Sequence, residues 1–294
     1  MRWKKVSLIG VGLLGGSLGL ALRKRGLSEK VVGFVRRPGS IRECERVGAV
    51  EKATLNLEEA VLGADLIVLC TPIAQMRPLV DRMLEAIGPG TVITDVGSVK
   101  ASIVRVLEPI AARARASFIG SHPMAGAEKM GVASARADLF EKAVCVVTQT
   151  RRSNPTALKK VENLWKAIGC RVILLEPEMH DALVSRSSHL PHLVAATLVN
   201  RVLDPKAPKQ QADLCANGFR DTTRIASGSP EMWRDIAMAN RKHIGESLRQ
   251  LIRDLQKVQR LISKADMGSI ERFLTFAKLR RDKWQELGGG RSEE

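Results

Sequence analysis

Val6-Ser7-Leu8-Ile9-Gly10-Val11-Gly12-Leu13-Leu14-Gly15-Gly16-Ser17 sets a short apolar run directly against a glycine-rich turn. Val6 to Ile9 predicts a strand, and Ser17 to Lys24 predicts a helix. Between them stands G-x-G-x-x-G, in which Gly10 permits a tight turn, Gly12 lets a pyrophosphate approach the backbone, and Gly15 lets helix and strand pack closely. Leu13 and Leu14 complete the turn, so that unpaired N–H groups and the positive end of the helix face the phosphates. As a bare hexapeptide the pattern is only a glycine-rich turn. In its strand–turn–helix setting it predicts a dinucleotide site built on Gly10, Gly12, Leu13, Leu14 and Gly15.

Working outward, Lys30 to Val35 predicts a second strand. An acid about 20 residues past the glycines would accept from the ribose hydroxyls of NAD. Here Val35 is followed by Arg36 and Arg37. Paired guanidiniums suit a 2′-phosphate, so NADP is expected in preference to NAD; the alternative is a solvated basic turn. Further apolar strands run from Asp65 to Cys70, Val92 to Thr94 and Ser117 to Ile119. They end at Thr71-Pro72, at Asp95-Val96-Gly97-Ser98-Val99-Lys100, and at Gly120. Right-handed crossovers would line these ends along one edge of one parallel sheet, where ligands bind. Thr71 and Pro72 are therefore expected at the cofactor. His122 is expected in the turn after Gly120, as a base or as a structural hydrogen-bonder. Ser98 is expected to bond His122 and a substrate hydroxyl, or to cap the helix starting near Val99.

Composition narrows the classes. The 294 residues are 45% apolar and carry a formal net charge of +16, with 3% aromatics and no tyrosine. Scarce aromatics supply few stacking platforms for single strands, and the basic residues are interleaved with acids rather than gathered. Anionic small molecules are thus favoured over nucleic acid. Five scattered cysteines without C-x-x-C suggest reduced thiols in a cytoplasm. Met1 to Lys5 leads directly into the first strand, so no leader is expected, and no apolar run approaches the roughly 18 residues of a membrane span.

After Glu176-Pro177 the strand patterns stop and amphipathic stretches take over. We expect an α/β dinucleotide-binding domain over 1–176 and an all-α domain over 177–294. Asp181, Ser185, Ser188 and His192, at i, i+4, i+7 and i+11, are expected to share one helical face whose polar partners are protein or ligand. His189 and His192 also permit a metal, but with no cysteine near them a metal is set aside. In Gly218-Phe219-Arg220-Asp221-Thr222-Thr223-Arg224, Arg224 reads as a carboxylate clamp or as a surface charge.

Taken together, G-V-G-L-L-G-G-S (10–17), C-T-P (70–72), T-D-V-G-S-V-K (94–100), G-S-H-P-M-A-G (120–126), S-H-L-P-H (188–192) and G-F-R-D-T-T-R-I-A (218–226) resemble the prephenate/arogenate dehydrogenases of tyrosine biosynthesis. The resemblance implies a Rossmann-like domain followed by a helical domain through which members dimerise. It implies oxidative decarboxylation of a cyclohexadiene acid, prephenate or arogenate. His122 matches the catalytic histidine that accepts the ring hydroxyl's proton, and Ser98 the serine that holds both. His192 and Arg224 match substrate-holding residues, and Glu128 an acid of prephenate-using members. Asp181 is grouped with these as substrate-binding. The chain departs from NAD-type members at Val35 to Arg37, and no appended regulatory domain is expected after the helical part. Rival readings are another two-domain hydroxy- or imino-acid dehydrogenase, and a dinucleotide sensor or nucleic-acid binder without catalysis.

Overall fold

The computed structural model describes residues 2–126 and 131–287. Its first part alternates strand and helix: β1 (Trp3–Ile9), α1 (Leu13–Lys24), β2 (Ser28–Phe34), α2 (Pro38–Arg46), β3 (Lys52–Thr54), α3 (Leu57–Val61), β4 (Leu66–Leu69), α4 (Ile73–Met83), β5 (Val92–Asp95), α5 (Ala101–Arg113) and β6 (Ser117–Ile119). These six strands form one parallel sheet in the order β3-β2-β1-β4-β5-β6. The order reverses beside β1, and that is where an open sheet of this kind leaves its ligand crevice.

The near-continuous apolar strands are explained by helices on both faces. Within β4, Leu66 and Val68 pack toward α1 and α2, whereas Ile67 and Leu69 pack toward α3, α4 and α5. The side-chain period of two thus feeds two cores from one strand.

A second sheet follows: β7 (Ser121–Pro123), β8 (Val144–Thr148) and β9 (Arg171–Leu175), with α6 (Pro155–Ile168) between the last two. β7 runs antiparallel to β8, and β9 parallel to it. His122 therefore lies within a strand of a second sheet, not in a turn at the end of the first as the sequence pattern suggested. The reason is Gly120. A Cβ there would sit 2.6 Å from Thr148 Oγ1 and 2.8 Å from Val104 Cγ2, and Thr148 N donates to its carbonyl at 2.8 Å. Only glycine lets the chain pass so closely from one sheet to the other.

Helices complete the chain: α7 (Pro177–Val184), a π-helical turn (Ser185–His189), α8 (Leu190–Val202), α9 (Gln210–Asp213), α10 (Asn217–Thr223), a 3₁₀ turn (Arg224–Ser227), α11 (Pro230–Ala239), α12 (Arg241–Ser263) and α13 (Met267–Glu286). By compactness the chain divides between Ile244 and Gly245. The change from alternating to all-helical structure, by contrast, falls after β9. Among the described residues no helix is long and apolar enough to cross a membrane.

Over its described residues, 245–287, the second unit has little interior of its own. α13 has no buried residue, and Ile252, Leu255, Phe273, Leu274, Phe276, Leu279 and Trp284 are all exposed. An apolar surface of that extent marks a protein contact. We expect a homodimer in solution; a monomer in sedimentation at micromolar concentration would overturn this.

Candidate active site

At the turn between β1 and α1, Gly10 has φ +97°, and a Cβ there would lie 2.8 Å from the Cys70 carbonyl. A Cβ on Gly15 would collide with the Gly10 carbonyl, whereas one on Gly12 would meet nothing within 4 Å. Two glycines thus close the turn against the sheet, and the third leaves its outer face open. No acid stands in the first turn of α1 to repel a phosphate. Thr71 Oγ1, just past β4 beside Gly10, is buried without a partner among the described residues. This cradle fits a dinucleotide. Beyond β2, Val35 is buried while Arg36 and Arg37 are exposed, and Arg37 precedes the first residue of α2.

The second centre is a chain of bonded side chains. His122 Nδ1 lies 2.8 Å from His180 Nε2, and His180 Nδ1 lies 2.8 Å from Asp181 Oδ1. Asp181 also receives the first N–H groups of α5, from Lys100 at 2.7 Å and Ala101 at 2.9 Å. A carboxylate with two backbone donors is an acceptor, so His180 Nδ1 carries a proton toward it. His180 Nε2 is then an acceptor, and His122 Nδ1 must donate to it. That tautomer leaves His122 Nε2 with a free lone pair.

Burial is the main cause that pushes His122 well below the usual imidazole range, helped by the positive charges that His180, Lys100 and His189 would present. His180 is lowered by burial against the opposing pull of Asp181. Both rings are therefore neutral at neutral pH, as a base and its orienter should be.

His122 and Ser98 share a large cavity with Ser188, His192, Arg224 and Trp233. His192 stacks on Trp233 with centroids 3.5 Å apart and planes 10° apart. Gly228 leaves room for that stack, since a Cβ on it would lie 2.6 Å from Trp233 Nε1. His192 Nδ1 is buried without a partner among the described residues, which leaves it available to a ligand. Burial lowers its affinity for a proton as well. Arg224 opens the 3₁₀ turn after α10 and lines the same cavity.

Several expectations are corrected. Asp181, Ser185, Ser188 and His192 do not share one face. The π-helical turn at 185–189 takes up an extra residue, and Pro191 has no N–H to continue the regular ladder. Ser188 and His192 line the cavity, whereas Asp181 turns inward to His180 and α5. Asp181 is thus an orienting group, not a wall of the cavity that holds Ser98 and His122. Ser98 lines that cavity, but the side chain bonded to His122 is His180, and α5 is capped by Asp181 rather than by Ser98. Glu128 lies outside the described residues. His180, the missed partner, had one signal in the sequence: a histidine followed directly by an acid in the first turns of a helix.

Comparison with known proteins fits this geometry. Residues 18–174 match the family model for the prephenate dehydrogenase nucleotide-binding domain, and residues 176–276 match that for its dimerization domain. Prephenate dehydrogenase of Bacillus subtilis is 32% identical over 94% of this chain and 75% of its own. The chain belongs to the prephenate dehydrogenase family. It is an NAD(P)-dependent oxidoreductase, with a nicotinamide dinucleotide as cofactor. Among solved structures, prephenate dehydrogenase from A. aeolicus in complex with hydroxyphenyl propionate and NAD+ superposes with a TM-score of 0.91 at 30% identity, covering 96% of this chain and 99% of that one. Arogenate dehydrogenase of Synechocystis gives 0.82 at 31% identity, covering 95% and 99%.

Proposed function

We propose that the protein oxidatively decarboxylates prephenate to 4-hydroxyphenylpyruvate, with residues 1–176 holding the dinucleotide and 177–294 completing the substrate site and the dimer. The observation that carries this reading is the bonded chain from His122 through His180 to Asp181, with His122 lining a cavity together with Ser98, His192 and Arg224. When bound, the dinucleotide supplies an oxidised nicotinamide that accepts hydride. His122 Nε2 takes the proton from the ring hydroxyl as the hydride leaves the same carbon. The ring carboxylate departs as carbon dioxide, its bonding electrons complete the aromatic ring and move the carbonyl pair onto the ring oxygen, and that oxygen takes back the proton held by His122. Asp181, through His180, stabilises the charge that His122 acquires. Arg224 and His192 hold the substrate's anionic end, and Ser98 positions the hydroxyl.

Arogenate offers the same ring chemistry with an amino group on the side chain, and a hydroxy- or imino-acid substrate would lack the aromatising step. The test is a two-by-two assay of prephenate and arogenate, each with NAD and NADP. Turnover of prephenate above arogenate supports the reading; arogenate alone would replace it.

The same assay tests the cofactor. Arg36 and Arg37 support NADP, because a 2′-phosphate carries nearly two negative charges and the end of β2 runs into Val35-Arg36-Arg37 without an acid. A charge-assisted bond is worth about 1.5–3 kcal/mol. A preference for NADP of at least about tenfold in kcat/KM is expected, and Arg36→Ala should weaken NADP far more than NAD. Equal or better use of NAD by the unaltered protein would make the arginines a solvated turn.

A further inference from the structure

His122 is held from two sides. His180 fixes its ring, and the residue before it fixes its backbone. Ser121 is fully buried, and its polar groups are all engaged. Its N–H donates to Asp95 Oδ1 at 3.0 Å, and its carbonyl accepts from Lys100 Nζ at 3.0 Å. Its hydroxyl donates to the Asp95 carbonyl at 2.5 Å, and receives Trp165 Nε1 at 3.0 Å and Thr94 Oγ1 at 2.8 Å. A hydroxyl has one proton and two acceptor sites, so the Ser121 side chain is saturated. Asp95 and Lys100 are themselves paired, and Gly97 N donates to Asp95 at 2.9 Å.

These partners come from three places: the end of β5, the start of α5, and the last turn of α6. Ser121 is thus where the six-stranded sheet, the three-stranded sheet and α6 are bonded together, one residue from the base. β6 and β7 belong to different sheets, and only Gly120 separates them. Strand pairing within either sheet does not by itself fix where β7 sits against β5.

We propose that the Ser121 hydroxyl is a positioning device for His122, setting the base against the substrate hydroxyl without touching substrate or cofactor. The inference rests on His122 being the base. Its logic is that proton transfer requires near-contact geometry, and a displacement of about 1 Å can cost on the order of 10²-fold in rate. Binding of the dinucleotide at Gly10 to Gly15 and of the substrate at Arg224 does not pass through Ser121, so affinity should be spared.

The test uses the full-length protein with prephenate and whichever dinucleotide it prefers. Ser121→Ala should lower kcat at least tenfold while the KM for prephenate and the dissociation constant of the dinucleotide stay within twofold. Ser121→Thr, which restores the hydroxyl, should recover most of the loss. Thr94→Val and Trp165→Phe each remove one partner of the same hydroxyl and should lower kcat in the same way. Combined with Ser121→Ala, neither should lower it further. Thr91→Val serves as the control, since Thr91 is buried at the other end of β5, bonds the Ala64 carbonyl at 2.9 Å, and should leave kcat unchanged.

A kcat within twofold for Ser121→Ala overturns the proposal, as does an equal fall in the Thr91→Val control. Should Ser121→Ala not fold, full kcat in both Thr94→Val and Trp165→Phe overturns it. His122→Asn is measured alongside. If that variant is active, the base assignment fails; if it is inactive while Ser121→Ala is normal, only this inference fails.

Discussion

His122→Asn is expected to lower kcat by about 10²–10⁴-fold while dinucleotide binding is unchanged. Asparagine retains a donor that can face His180 but offers no basic nitrogen to the cavity. The step that suffers is proton removal from the ring hydroxyl, and the glycine turn at 10–15 is untouched. The pH profile carries the same information. His122 acts neutral, and burial first, then His180 and Lys100, press its proton affinity well below the ordinary histidine range. Protonation inactivates it, so the acid limb of kcat/KM should lie below pH 6.5, the ordinary imidazole value. Near-normal turnover by His122→Asn, or an acid limb above that value, would remove His122 as the base.

Arg224→Ala is expected to raise the KM for substrate by about 2–4 kcal/mol of lost binding, roughly thirty- to a thousandfold. Arg224 lines the same cavity as His192 and Trp233. A substrate carboxylate seated there leaves water behind, and truncating the arginine strands that charge without a partner. The effect should fall on KM far more than on kcat, because a carboxylate clamp holds ground state and transition state alike. Arg224→Lys should recover only part of the affinity, since an ammonium cannot reproduce the two-pronged fork. An unchanged KM in Arg224→Ala would assign the residue to the surface.

Both predictions concern residues that could be named from the chain alone, and it is instructive which others could not. G-x-G-x-x-G, the apolar runs and their polar ends are local patterns. Backbone sterics and burial on both faces act on neighbours in sequence, so the parallel sheet, its crevice and the cradle of Gly10, Gly12 and Gly15 were legible. So was the placement of His122, His192, Ser98 and Arg224 around one cavity, through the motifs that carry the family resemblance.

What the chain did not disclose depends on residues brought together from far apart. His180 is 58 residues from His122, and Asp181 reaches α5 across 80 and 81 residues. No periodicity encodes such a pairing. The stripe expected from Asp181 to His192 assumes 3.6 residues per turn, and one π-helical turn breaks it. A three-residue strand after a glycine has too little pattern to announce a second sheet, so the chain alone suggests a turn at His122. The sequence by itself determined the parallel strands, their glycine turn and the residue types that carry the chemistry. The tertiary structure alone decided which ring nitrogen of His122 is free, because that choice belongs to Asp181, and an acid selects a tautomer only when the fold has buried it against its partner.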